Sequence, residues 1–253
     1  MNSVVVFGAA GAIGVHAVAE FQNAGFSVVG VDLNTFDESV NAGNLSSEMA
    51  TIPNVDYRHI VADATRLDDV AAVFSELSSV THVVTTVGGA FAGEVANNND
   101  ITKVSVETIK NTVNRNLLSC LHIARYALPL LREQSGDASY TMTGSINGTR
   151  ALGLASYSAS KAGLVSLAQN LAAQEGPHGV RVNVLSPGTV VTPRTARLWS
   201  GDEDHFEVLR ATTFLGRTAS LPEVGAAFKM LAVDLTAVTG TVLNVDCGQG
   251  AHW

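Results

Sequence analysis

A chain of 253 residues, 46% hydrophobic and only 15% charged, can bury a sizeable core, either as one large α/β domain or as two small ones. Its net charge of −8 and the absence of clustered Lys/Arg argue against nucleic acid or an anionic membrane surface as the main partner. Cys120 and Cys247 stand in no CxxC or metal-ligand spacing and the histidines form no HxH or HxxxH pair, so reduced thiols and no protein-held metal are expected.

Met1-Asn2-Ser3 offers no basic region before the apolar run that follows, and no window approaches the ~18 apolar residues of a membrane span. A soluble, cytoplasmic protein is expected. Val4–Phe7 is a β-branched apolar run of the kind that forms a buried strand. Gly8-Ala9-Ala10-Gly11-Ala12-Ile13-Gly14 follows, then an amphipathic stretch to Asn23 and a stop at Gly25. Strand, glycine turn and helix in that order form the phosphate-cradling half of a βαβ unit: small residues let the backbone approach a pyrophosphate, and the helix N-terminus supplies N–H groups and partial positive charge. Gly8, Ala10, Gly11, Ala12, Ile13 and Gly14 are the candidate residues of that cradle.

Phe26–Val31 is the second strand, with Asp32 directly after it. A carboxylate in that place accepts hydrogen bonds from both hydroxyls of an adenosine ribose and repels a 2′-phosphate, and no Lys or Arg precedes Arg58. NAD is therefore expected rather than NADP, with Leu33 beside the ribose. Residues 33–54 are polar and weakly periodic, with a short helix expected near Glu48. Val55–Val61 is the third strand. Asp63, with Ala64 after it, either faces the adenine or caps the helix Leu67–Leu77. His82–Val87 is the fourth strand, closing in Gly88-Gly89, a pair that suits close approach to a ligand. Residues 91–100 form a loop and Ile101–Arg132 a long helical pattern containing Asn116, which is either a satisfied buried amide or a member of a water network. Ala138–Met142 is the fifth strand and runs into Ser145. Val180–Leu185 is the sixth, followed by Ser186-Pro187-Gly188. Residues 193–213 turn polar and acidic around Trp199 and Phe206 and are read as a lid or a surface helix. Pro222–Leu235 is the final helix and Thr241–Val245 the last strand, with no linker or internal repeat. One doubly wound α/β domain over residues 1–253, with about seven parallel strands, is the expected fold.

Within the stretch Thr143–Lys161, Tyr157 and Lys161 stand four residues apart in a helical run, Ala155–Glu175, and so share one face. A free phenol titrates near 10. A lysine charge ~4 Å away would favour the phenolate by roughly 4 kcal/mol at an effective dielectric of ~20, bringing the tyrosine toward neutral acid–base work.

Tyr157–Lys161 preceded by Ser145, the Asn116-Leu117 helix, Arg181–Gly188 (RVNVLSPG), Gly14 closing the glycine loop, and the ending Thr239-Gly240 with Val245–Gly248 together resemble the short-chain dehydrogenase/reductase family along nearly the whole chain. The resemblance implies a Rossmann-type fold and an NAD(H)-dependent exchange between a secondary alcohol and a ketone. Tyr157 would be the acid–base, Lys161 would lower its pKa and bind the nicotinamide ribose, and Ser145 would hold the substrate oxygen. Asn116 would hold a water linking Lys161 to solvent. Val87, Gly88 and Gly89 would border the cofactor, and Pro187, Gly188, Val190 and Thr192 would wrap its nicotinamide. It also implies a homotetramer with the 101–132 and Ala155–Glu175 helices in one interface. The chain departs from the family pattern in three places. The glycine loop has Phe7 and Ala12 where the family has threonine and glycine. Thr86-Val87-Gly88-Gly89 replaces Asn-Asn-Ala-Gly, removing a side chain that stabilises the central sheet. Ser145 precedes Tyr157 by one residue fewer than usual. These departures leave open a non-catalytic NAD-binding sensor on the same fold. A sugar-nucleotide epimerase or dehydratase would need a larger C-terminal region than follows Pro187. Arg150, Arg194 and Arg197 fall near the edges of the substrate pocket, as surface residues or as contacts for an acidic substrate.

Overall fold

In the computed structural model, residues 3–41, 56–96, 100–199 and 204–249 are described; the helix expected near Glu48 lies outside them. The β-branched runs form seven parallel strands: β1 (Ser3–Phe7), β2 (Ser27–Asp32), β3 (Tyr57–Val61), β4 (His82–Thr85), β5 (Ala138–Thr143), β6 (Val180–Pro187) and β7 (Val242–Val245). They are ordered β3-β2-β1-β4-β5-β6-β7 in one sheet. The chain winds outward from β1 to β3, returns to place β4 against β1, and continues the other way. The order therefore reverses between β1 and β4, and a crevice opens at the carboxyl ends of the strands there.

Both faces are covered, and so the strands read as nearly continuous apolar runs. One face packs under α3 (Leu67–Ser75), α6 (Ser119–Arg132) and α7 (Ala155–Glu175), with Val5, Phe7, Val83, Tyr140 and Met142 meeting Val73, Ile123 and Leu164. The other packs under α1 (Ala12–Asn23) and α10 (Leu221–Lys229), with Val4, Val6, Val28 and Leu185 meeting Val18, Phe21 and Phe228. Arg181 ties the far side of the sheet together: its guanidinium donates to both Asp137 oxygens (2.7 and 2.6 Å) and to the carbonyls of Leu231 and Ala232 (2.9 and 2.6 Å).

The helical pattern expected over 101–132 is interrupted. α5 (Val106–Val113) passes through a π-helical turn at Asn114–Leu118 into α6. Such one-residue insertions widen a helix locally and recur at functional sites. Here the turn carries Asn116 against the Gly88-Gly89 segment that follows β4. A second π-turn, Met230–Asp234, ends α10. The segment 91–100, expected as a loop, contains the short helix α4 (Ala92–Val95), and the residues of the expected lid form α8 (Pro193–Leu198) and α9 (His205–Ala211). Asp32 is the last residue of β2 rather than the first beyond it. Between β2 and β3 lies α2 (Phe36–Asn41). No described helix is long and apolar enough to cross a membrane.

Candidate active site

Tyr157 sits in the first turn of α7, whose small residues let the helix lie close on the sheet. Ser145 faces its hydroxyl and works to lower its pKa; it lies just past β5 as the N-cap of a 3₁₀ turn, Ile146–Gly148, where its Oγ accepts from the Asn147 amide (3.2 Å) and lies 3.3 Å from Asn147 Oδ1. The shorter segment between the two residues therefore still brings serine and tyrosine together.

One turn along, Lys161 is 2% exposed. Its Nζ donates to the carbonyl of Thr143 at 2.7 Å and stands 5.7 Å from the centre of the Tyr157 ring. The electrostatics differ from the sequence expectation. Burial dominates at both groups, because a charge loses hydration there. It raises the Tyr157 pKa, opposed by the Ser145 hydrogen bond and the Arg194 charge and reinforced by Glu94. It also lowers Lys161 to about 8, with Cys120 acting weakly the other way. The lysine–phenolate attraction expected from spacing alone is not what sets the tyrosine here.

Asn116 is fully buried. Its Oδ1 accepts from the Gly89 amide (2.8 Å), and its Nδ2 donates to the carbonyls of Gly89 (3.2 Å) and Thr112 (2.9 Å). Both amide protons are spent on the backbone, so this side chain clamps the Gly88-Gly89 strap instead of offering donors to a water. The strap must be glycine. Gly88 has φ 148°, and a Cβ there would lie 2.7 Å from Asn116 Oδ1 and 3.0 Å from Lys161 Nζ. The stabilising side chain thought to be missing before it is supplied by Thr86, whose hydroxyl lies 3.0 and 2.9 Å from the carbonyls of Phe7 and Gly8 and joins β4 to the glycine turn.

Arg194, in α8, reaches across the crevice. It donates to the Gly88 carbonyl at 3.0 Å and also to that of Ala90, and burial lowers its pKa. It is half-buried, not a surface arginine. Arg115 lies with its guanidinium 4.0 Å over the Phe91 ring.

At the other end of the crevice Asp32 Oδ2 accepts from the Ala10 amide (2.9 Å) and Oδ1 from that of Leu33 (2.7 Å). Burial raises its pKa against those bonds. Gly14 lets α1 close on the turn, since a Cβ there would stand 2.0 Å from the Gly8 carbonyl. Gly11 begins α1 with no side-chain cap, leaving the first turn's N–H groups to an outside acceptor.

A family model described as "Enoyl-(Acyl carrier protein) reductase" matches residues 8–249. L-fucose dehydrogenase of Rattus norvegicus is 30% identical over 97% of this chain and 88% of its own. The 7alpha-hydroxysteroid dehydrogenase of Bacteroides fragilis is 27% identical over 98% and 94%. A solved oxidoreductase of the short-chain dehydrogenase/reductase family from Burkholderia thailandensis superposes with a TM-score of 0.85 at 28% identity, covering 99% of this chain and 93% of that one. The chain is a short-chain dehydrogenase/reductase.

Membership implies a nicotinamide cofactor, and the residues fit one. A cradle that a Cβ would fill at Gly14, an uncapped helix start and a carboxylate at the end of β2 lie along one crevice that leads to Tyr157. In this dehydrogenase/reductase the other residues expected at the cofactor have the following surroundings. Asp63 Oδ1 accepts from the amide (2.8 Å) and hydroxyl (2.7 Å) of Thr65, and the N-cap of α3 is Arg66, so Asp63 closes a turn rather than capping the helix. Ala64 is packed in the core on one face of the sheet, and the Val190 side chain in the apolar layer under α10 on the other. Thr192 caps α8 through Thr195. Pro187 ends β6, and Gly188 lies against Asp246 and Gln249. Leu33 is exposed and Val87 packs partly on the core. Among the described residues, no group of three or more His, Cys, Asp or Glu is placed to hold a metal. The structure gives Thr86 and Arg194 contacts the sequence did not announce, and adds Glu94, which belongs to no motif readable in sequence.

Proposed function

We propose that this short-chain dehydrogenase/reductase interconverts a secondary alcohol and a ketone with NAD(H), using Tyr157 as the acid–base. The observation that carries the reading is the convergence of Ser145, Tyr157 and Lys161 beside the Asn116-clamped strap at the crevice. Bound nicotinamide would supply or take up the hydride. The Ser145 and Tyr157 hydroxyls form a two-donor site for a carbonyl oxygen, and serine fixes it while the tyrosine gives or takes the proton. The raised Tyr157 pKa keeps the phenol protonated near neutrality, which suits ketone reduction. Ser145 and Arg194 stabilise the phenolate that reduction leaves behind. Lys161, whose pKa burial lowers to about 8, would bind the nicotinamide ribose. Asp32 would hold the adenosine ribose.

A panel of secondary alcohols and ketones, followed by NADH absorbance, tests the reaction, and NADH binding without turnover of any of them favours the sensor reading instead. Fluorescence titration tests the cofactor: NADH is expected to bind more tightly than NADPH, and Asp32→Ala to weaken NADH about 10- to 100-fold, the worth of a charge-assisted hydrogen bond. Equal affinity for both nucleotides would overturn the assignment of Asp32. We also infer a tetramer, supported by the half-exposed Leu118 and Leu121 on the outer side of the π-turn and α6. Light scattering decides it.

A further inference from the structure

The first turn of α7 lacks a cap of its own. Leu154, at the N-cap position, is held in the left-handed region (φ 55°, ψ 64°) and makes no side-chain hydrogen bond to the helix. The acceptor comes instead from α4. Glu94 is 1% exposed, and its Oε1 accepts from the Ser156 amide (2.9 Å), the Ser156 hydroxyl (2.8 Å) and the Tyr157 amide (3.2 Å). Its Oε2 lies 3.5 Å from the Thr112 hydroxyl, on the helix that leads to Asn116. Among the described residues no lysine or arginine pairs with it. A carboxylate taken from water without a cation is costly unless dipoles replace its hydration, and here N–H groups at a helix N-terminus do so.

We propose that Glu94 is a positioning residue for Tyr157: a cap supplied from a distant segment that fixes the backbone of the acid–base in register with Ser145. The proposal rests on the reading of Tyr157 given above. Its second consequence is electrostatic. The charged groups facing Tyr157 are Glu94 from α4, Arg194 from α8 and Lys161 from its own helix, with the Ser145 hydroxyl against the phenol. Of these, Glu94 is the anion, and it adds to the burial that raises the tyrosine's pKa. Cap and charge act together: one sets where the phenol stands, the other adds to the burial that keeps it protonated.

The test compares wild type, Glu94→Gln and Glu94→Ala. Hydrogen exchange of a peptide covering residues 154–161 reads the cap. Glu94→Ala is expected to speed exchange of the Ser156 and Tyr157 amides at least about tenfold, with a smaller effect in Glu94→Gln, whose amide oxygen still accepts. The pH profile of alcohol oxidation reads the charge. Both variants should reach half-maximal rate at lower pH than wild type, and Glu94→Ala should lose about 10- to 100-fold in kcat through misplacement of the phenol. Unchanged exchange in Glu94→Ala overturns the cap, and an unmoved profile in both variants overturns the electrostatic role. If Glu94→Ala does not fold, Glu94→Gln carries both measurements. If no alcohol or ketone is turned over, the hydride-transfer reading fails. The present proposal is then still decided by exchange and by the phenolate absorbance that Tyr157→Phe removes.

Discussion

Replacing Tyr157 with phenylalanine is expected to lower kcat by about 10²- to 10⁴-fold while NADH affinity stays within about threefold of wild type. The substitution deletes one oxygen and keeps the ring, so the helix position and the crevice survive. What disappears is the proposed proton donor and one of the two hydroxyls proposed to hold the substrate oxygen, while Ser145 remains in place. Stability should change by no more than about 1 kcal/mol, because the residue is only half-buried. In the intact enzyme, ketone reduction needs the protonated phenol and should hold across neutral pH, where burial keeps the proton on. Alcohol oxidation needs the phenolate and should climb into the alkaline range. Steady-state kinetics in both directions, with fluorescence titration of NADH, measure all of this. Wild-type rates in Tyr157→Phe would sink the mechanism.

Lys161→Met is expected to do the reverse of what a core substitution usually does: stabilise the protein while removing activity. Lys161 is 2% exposed and has its pKa lowered to about 8 by burial. Because the folded value lies below the unfolded one of ~10.4, the unfolded chain holds the proton more tightly, and a charged Lys161 works against folding. That penalty is fully present below about pH 8 and fades as the pH rises toward ~10.4. The difference corresponds to about 3 kcal/mol, from which about 2 kcal/mol is lost with the charge-assisted bond to Thr143. Methionine fills similar space without the charge, so a net gain of about 1 kcal/mol is expected at pH 7, narrowing at pH ~9.5. Urea unfolding at the two pH values checks it. A variant less stable at pH 7, or a gain independent of pH, would contradict the account. Activity should fall at least about 100-fold, as at other sites where function requires a group the fold would shed.

The sheet was legible because parallel strands buried on both faces spell themselves out in β-branched runs, and the glycine turn and Asp32 are local features of one such run. Tyr157, Lys161, Ser145 and Asn116 were legible as spacing. The rest depended on enclosure. Glu94 looked like any acid in a polar loop, since the amides it caps belong to a helix sixty residues downstream. Arg194 looked exposed because nothing in its short helix announces the carbonyls of Gly88 and Ala90 opposite. Thr86 was passed over as the wrong residue type for its place, although a hydroxyl reaches the Phe7 and Gly8 carbonyls. The π-turn escaped because one inserted residue scarcely disturbs an apolar helical pattern. The tyrosine's proton affinity was misjudged because charge spacing is written in sequence and loss of hydration is not.

The reversal of strand order between β1 and β4 bears on how the enzyme comes into being. Val4 and Val5 have their partners at His82 and Val83, and the chain between must first be wound to the opposite side. The wall that carries Gly88 and Gly89 therefore does not exist until the most sequence-distant pairing of the first half has formed, and Tyr157 waits on β5 after that. Closing such loops precedes any reward from the contacts they allow, so docking of the central strands is the slow event. On dilution from denaturant, helical signal should return well before catalysis does. Nascent chains released early would carry a finished glycine turn facing an absent wall.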